Sequence, residues 1–290
     1  MPFTTLPSGT LYVHEFGGTG EPVVALHGLG GNHLNWMAVA DGLRRWGRVL
    51  APDLPGFGYS PPARSYSIRA HARVVIDLLE SLGRAGLLLG NSMGGLVAMR
   101  IAADRPDLVA RLVLLSPASL PRVDDPRIDR EVTKRLVLQA VPWLGPAMIR
   151  SYLRRSSPRQ QALDTLAVVC HRPDRVPAQV LHRSLELAHV RRHQPWAVDA
   201  LVRSGRSTGA VLVDRRRYAR MVETIVTPTL LIGGAHDRVV PGSGTEWVAS
   251  LRPDWRWVTL AAGHCAQLEQ PEEFVRLVTD WLEEPVSATG

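Results

Sequence analysis

The segment Gly90-Asn91-Ser92-Met93-Gly94-Gly95 constrains this chain more than any other. It follows the apolar run 87–89 and precedes a helix-like stretch over 96–103. A strand that turns at once into a helix around Gly-x-Ser-x-Gly forces the serine into a sharp, strained elbow. Residues two before and two after it come too close to other backbone to carry side chains, which explains Gly90 and Gly94. Ser92 is then held up at the carboxyl end of a buried strand with a helix N-terminus beneath it. It is the candidate nucleophile. A glycine-rich turn with a capping serine is the alternative reading of the same residues.

The rest of the chain supplies the sheet that such an elbow needs. A first strand is expected over 9–16, and buried-strand runs follow at 23–26, 48–51, 112–115, 229–232 and 255–260. Each ends in a loop, and helical stretches alternate with them. Residues 67–82 carry Ile68, Val75, Leu78, Leu79 and Leu82 on one side of a helix, and 274–282 read as a closing helix. The pattern predicts an α/β fold with a mostly parallel central sheet and helices on both faces. It breaks between 120 and 222, where the sequence is Arg-rich, helical in period and interrupted by Pro142, Pro146, Pro158, Pro173, Pro177 and Pro195. One core domain over 1–119 and 223–290 is therefore expected, interrupted by a helical cap over 120–222, with 285–290 as a frayed tail.

Catalytic groups in open α/β sheets gather at the carboxyl ends of strands. A serine hydroxyl needs a base, and the base needs an orienting acid. Asp237 follows the 229–232 strand and His264 follows the 255–260 strand, so Ser92, Asp237 and His264 are expected to converge. An acid placed elsewhere, such as Asp214, is the alternative. Two backbone N–H donors are needed for an oxyanion. Met93, directly after the serine, and Leu29, in the loop His27-Gly28-Leu29-Gly30, are the candidates. Asp53 and Pro55-Gly56-x-Gly58 read as a structural turn that holds the neighbouring loops. Activity should rise with pH as His264 loses its proton, because only neutral imidazole acts as a base.

These segments together resemble the α/β-hydrolase superfamily. The residues that carry the resemblance are His27-Gly28, Asp53-x-Pro55-Gly56-x-Gly58-x-Ser60, Gly90-x-Ser92-x-Gly94-Gly95, Asp237-x-x-Val240-Pro241 and Gly263-His264. The resemblance implies the α/β-hydrolase fold, with the helical insertion as a cap that roofs the site and shapes the acyl pocket. It also implies the chain order serine, acid, histidine. The elbow and the stretch Gly263-His264-x-Ala266-Gln267-x-Glu269 are similar to those of the meta-cleavage-product hydrolases, which cleave carbon–carbon bonds in dienoate ring-fission products. That family usually has tryptophan where this chain has Cys265. It also holds the substrate carboxylate with a cap arginine, for which Arg183, Arg191 and Arg192 are candidates. Asn32 and Asn35 lie where it keeps polar substrate contacts. Gly28, Asn32 and Asn91 are accordingly expected to face the substrate, with Trp143 and Trp196 as walls. The expected function is hydrolysis of carboxylic esters through an acyl-enzyme. Carbon–carbon hydrolysis of a dienoate is the alternative, and a ligand-binding protein on a hydrolase scaffold is a third reading.

Composition trims the remaining classes. The net charge is +7, yet almost every basic residue is arginine, scattered along the chain, with Lys134 the only lysine. Aromatic and basic residues do not interleave as in RNA-binding modules, so no nucleic-acid partner is expected. No apolar stretch approaches the roughly 18 residues of a membrane span, and the N-terminus lacks a secretion signal. A cytoplasmic protein with a small-molecule substrate and no membrane partner is expected. Cap-helix stripes leave a homodimer open. Cys170 and Cys265 have neither metal-ligand nor disulfide spacing and read as small apolar fillers. No metal and no organic cofactor is expected, so EDTA should leave activity unchanged.

Overall fold

Successive residues of a strand face opposite sides of a sheet, and a strand covered on both sides reads as an unbroken apolar run. In the computed structural model, which describes residues 2–122 and 124–284, this rule divides the core in two. In β3 (Pro22–Leu26), Val24 and Leu26 join one apolar cluster, while Val23 and Ala25 join the other. The same division runs through Val49/Leu50 of β4 (Arg48–Asp53), Leu88/Leu89 of β5 (Leu87–Asn91) and Leu112/Val113 of β6 (Leu112–Leu115). It ends in Leu230/Leu231 of β7 (Thr229–Gly234).

The eight strands form one sheet in the order β1-β2-β4-β3-β5-β6-β7-β8, where β1 is Phe3–Leu6, β2 is Gly9–Gly17 and β8 is Arg256–Leu260. From β4 to β8 all neighbours are parallel, whereas β1 and β2 add antiparallel strands at one edge. The first strand was expected over 9–16, but an earlier one precedes it. Residues 3–6 fold back on 9–12 as a hairpin, with Leu6 opposite Gly9. Only Leu6 of that strand is buried, so it leaves little apolar signal in the sequence.

Helices cover both faces. On one side lie α1 (Met37–Leu43) and α12 (Pro271–Glu283). Phe274, Val278 and Trp281 of α12, spaced at helical period, enter the cluster with Trp36 and Leu43. On the other side lie α2 (Ile68–Leu82) and α3 (Met93–Asp104). Ser67 starts α2 by accepting the Ala70 N–H, an N-cap of the common kind. The short α11 (Ala266–Glu269) and α10 (Gly242–Leu251) complete the core.

Between β6 and β7 the chain forms α4 (Arg130–Ala140), α5 (Leu144–Arg155), α6 (Pro158–Val169), α7 (Ala178–Arg191), α8 (Ala197–Val213) and α9 (Arg215–Glu223). The last of these helices, α9, packs on the core: Tyr218, Val222 and Ile225 are buried in the main core cluster, and the Tyr218 hydroxyl donates to the Ala118 carbonyl (3.1 Å). The tail 285–290 lies outside the described residues. Among the described residues, no helix is long and apolar enough to cross a membrane.

Phe274 is fully buried. Phe274→Ala is expected to cost about 3–5 kcal/mol, read from urea denaturation, because the cavity cannot collapse between sheet and helix. A loss below about 1 kcal/mol would show that α12 repacks.

Candidate active site

The elbow follows from what the glycines exclude. A Cβ on Gly94 would collide with the carbonyls of Leu26 and His27 at the end of β3, and one on Gly90 would collide with the Gly94 carbonyl. Ser92 lies between them at φ 55° and ψ −119°, a region that side-chain-bearing residues avoid. Its backbone is fixed on both sides: its N–H donates to Leu115 (3.1 Å), and its carbonyl accepts from Ala118 (3.0 Å) and Leu96 (3.1 Å). A Cβ on Gly28 would come 3.0 Å from the Ser92 Cβ, so that loop approaches the serine as only glycine permits.

The ends of β7 and β8 bring the next two residues together. Asp237 and His264 are both nearly fully buried. His264 Nδ1 lies 2.7 Å from Asp237 Oδ2. The other oxygen, Oδ1, accepts from the N–H groups of Val239 and Val240, both at 2.8 Å. An ionised carboxylate held by two N–H donors orients the imidazole with Nδ1–H toward Asp237, which leaves Nε2 as the acceptor nitrogen.

Asn91 joins this pair to the elbow. Its buried amide donates to the His264 carbonyl and to the Leu115 carbonyl, both at 3.1 Å, and its oxygen accepts from the Cys265 thiol at 3.5 Å. Expected to face the substrate, Asn91 instead spends its amide inside the protein. Asn32 is half-buried, and its side-chain oxygen caps the 3-10 turn His33–Trp36 by accepting the Leu34 N–H, while Asn35 accepts the Asn32 N–H. Of the expected wall residues, Trp196 is half-buried. Trp143 is 86 % exposed, because it stands on the turn before α5 and points to solvent rather than into an enclosed wall. Asp214 serves as the N-cap of α9 through the Arg217 N–H.

The inserted helices lie over the Gly28 loop. Leu201 and Gly205 of α8 pack against Gly30 and Leu29. Arg191, at the end of α7, donates to the Gly30 carbonyl (3.2 Å), and its Nε is buried without a partner. Burial holds its guanidinium below the usual arginine range, with Asp53 opposing. Arg183 instead pairs with Glu186 at the surface, and Arg192 is exposed.

Two residues carry structural duties for the site that the sequence did not assign. The Glu269 carboxylate, buried behind His264, accepts the N–H groups of His171 (2.8 Å), Arg172 (3.0 Å) and Gly263 (3.0 Å). It ties the start of α7's approach to the histidine loop. His27 donates from Nδ1 to the Gly28 carbonyl (2.7 Å) and accepts the Leu54 N–H at Nε2 (3.0 Å), which fixes the Gly28 loop to the end of β4. The signal for Glu269 was present in the quoted stretch around His264. Asp53 accepts from the N–H groups of His33 (2.7 Å) and Tyr59 (2.8 Å) and from the His33 ring, as a structural turn requires. Burial pushes the Cys170 thiol up to about 12 and the Cys265 thiol well above its usual value, which keeps both protonated. Among the described residues, no cluster of three or more His, Cys, Asp or Glu side chains is arranged to hold a metal ion.

A family model described as alpha/beta hydrolase fold matches residues 21–271. The chain belongs to that family. It is 29% identical over 283 residues to a 2-hydroxy-6-oxononadienedioate/2-hydroxy-6-oxononatrienedioate hydrolase of a Pseudomonas species, covering 95% of this chain and 92% of that one. It is also 29% identical over 286 residues to an esterase of Mycobacterium tuberculosis, covering 95% and 87%. Among solved structures, a thermophilic esterase from Thermogutta terrifontis matches with a TM-score of 0.72 and 24% identity over 97% of both chains, which speaks to the fold. This α/β hydrolase is a hydrolytic enzyme.

Two buried histidines set its acid stability. Burial depresses His27 to about 4 and His71 to about 3. His71 joins α2 to α8 through Ser204 (3.0 Å). In the unfolded chain both titrate near 6.5. Above that pH both states are neutral and these groups contribute nothing. Below it the unfolded state takes up protons first, so the native state loses as much as about 1.4 kcal/mol per pH unit per group. Urea midpoints measured from pH 7 down to about 4 should fall, and His71→Gln should flatten the slope. An unchanged slope in that variant would contradict the burial of a neutral imidazole.

Proposed function

We propose that this hydrolase cleaves carboxylic esters through an acyl-enzyme on Ser92. The reading is carried by one observation: the 2.7 Å His264–Asp237 contact, anchored by Asn91 beside a serine held at φ 55°. His264 Nε2 takes the Ser92 proton as Oγ attacks the ester carbonyl. Asp237 stabilises the imidazolium that forms. The N–H groups of Met93 and Leu29 receive the oxyanion. His264 then protonates the departing alcohol, and water, activated by the same imidazole, releases the acid. Gly28 leaves room for the acyl group above Ser92. The similarity to a mycobacterial esterase supports this substrate class.

The test is turnover of a chain-length series of p-nitrophenyl esters. Ser92→Ala should lose about 10⁴-fold or more in kcat, while Asp237→Asn, with the wrong tautomer, should lose about 10⁴-fold with KM little changed. EDTA should leave the rate unchanged. Turnover retained in the Ser92→Ala variant would overturn the proposal.

A second reading has its own observation. Arg191 presents a buried, unpartnered Nε beside the Gly30 carbonyl, where it could receive the carboxylate of a dienoate. The Pseudomonas relative is named as a hydrolase of such an oxo-dienedioate. If the substrate is of this class, Arg191→Gln should lower kcat/KM on a coloured dienoate about 100-fold and leave neutral esters nearly unaffected. Equal effects on both substrates would assign Arg191 to holding the Gly30 loop.

A further inference from the structure

The turn between α4 and α5 is apolar and faces solvent. Val141, Pro142, Trp143 and Leu144 are all exposed, as are Leu136 and Val137 on α4 and Met148 on α5. Val137 and Val141 are four residues apart, as are Leu144 and Met148, so each pair forms one strip. The two strips meet at the tip, because α5 starts hard against the end of α4: a Cβ on Gly145 would collide with the Gln139 carbonyl. Trp143 adopts φ 71°, outside the regions that side-chain-bearing residues favour, and its ring is turned out of the protein. A contiguous apolar tip of this kind marks a surface that something covers.

The rim of the hairpin is basic. Residues 130–159 hold seven arginines and lysines, among them Lys134, Arg150, Arg154 and Arg155, against the single carboxylate Glu131. All seven are exposed. An aromatic and aliphatic tip with exposed cations along the helices behind it matches the boundary between lipid acyl chains and anionic headgroups. A dissolved polyanion would neutralise the arginines but bury none of the tip.

We propose that the α4–α5 hairpin docks this hydrolase on an anionic lipid surface. Val137, Val141, Trp143 and Leu144 enter the headgroup–acyl boundary, and the basic rim faces the lipid phosphates. The expectation of no membrane partner followed from the lack of a spanning segment, and a surface-docked hairpin needs none. Docking would be felt by the candidate site. Asp129, the N-cap of α4, holds Arg238 (2.7 Å), the residue after Asp237.

The test is co-sedimentation of the full chain with vesicles of phosphatidylglycerol or of phosphatidylcholine, which does not depend on the ester reading. The wild-type chain should partition onto phosphatidylglycerol at least about tenfold better than onto phosphatidylcholine. W143S/L144S should lower that partitioning about tenfold, and R150Q/R154Q/R155Q about a hundredfold. Raising salt from about 0.1 M to about 1 M should act in the direction of the arginine variant, as the Debye length shrinks from roughly 10 Å to roughly 3 Å. Circular dichroism melting identifies any variant that has lost its fold, and the salt series reads the unaltered chain. Absence of binding to phosphatidylglycerol, or equal binding by the folded variants, overturns the proposal. A dimer in lipid-free solution that W143S/L144S dissolves, seen by sedimentation velocity, also overturns it and gives the face to a second copy of the chain.

Discussion

The close approach of the β5–α3 turn to the end of β3 is the constraint on which the rest depends. Gly94 lies directly on the Leu26 and His27 carbonyls, so the turn has no room for a side chain and Ser92 has no relaxed conformation available. Holding a serine at φ 55° costs on the order of 1–3 kcal/mol. Its backbone bonds to Leu115, Leu96 and Ala118 offset that cost and tie the turn to β6 and α3. The same approach brings the loop after β3 against Ser92, so that Gly28 lies beside it.

Polar contacts between the core and the inserted helices are spread along the insertion. Glu269 binds three backbone N–H groups, two from the segment before α7 and one from the residue before His264. Buried N–H groups left without an acceptor would each cost about 1–3 kcal/mol, so this carboxylate fixes the roof and the histidine loop together. Arg238 with Asp129, His71 with Ser204, and Arg191 with Gly30 repeat the pattern at three other points around the site. The inserted helices are therefore fastened to the core at Gly263, Arg238, Gly30 and α2.

The strands and the three candidate residues were legible because each leaves a local mark. Both faces of β3 to β7 are buried, so their apolar runs stand out, and Ser92 and Asp237 follow two of them; His264 follows β8, where only Leu260 is buried. Features set by distant partners left no such mark. The strand at 3–6 has one buried residue. The helix at 215–223 is so basic that it reads as exposed cover, yet Tyr218 and Val222 carry it into the core. Asn91 resembles a substrate contact by position, but its amide donates to the Leu115 and His264 carbonyls, whose proximity only the fold creates. Among so many arginines, Arg191 differs from its neighbours through burial alone, which periodicity could not reveal.

Among the described residues there are two buried His–Asp contacts, and they are anchored differently. His33 lies 3.0 Å from Asp53, much as His264 lies 2.7 Å from Asp237. Asp53 also accepts backbone N–H groups from His33 itself and from Tyr59, so the pair closes a single turn on itself. The His33 ring is stacked among His14, Tyr12 and Tyr59, with aromatic neighbours where a reacting group would have to lie. Asp237 takes its two N–H donors from the loop that follows it, on the far side from the imidazole. His264 is held from behind through its own carbonyl by Asn91, the residue adjoining Ser92. An identical side-chain pair thus acts as a staple in one place. In the other the anchors are backbone N–H groups after Asp237 and the Asn91 amide beside Ser92, and the proposed proton transfer relies on that arrangement.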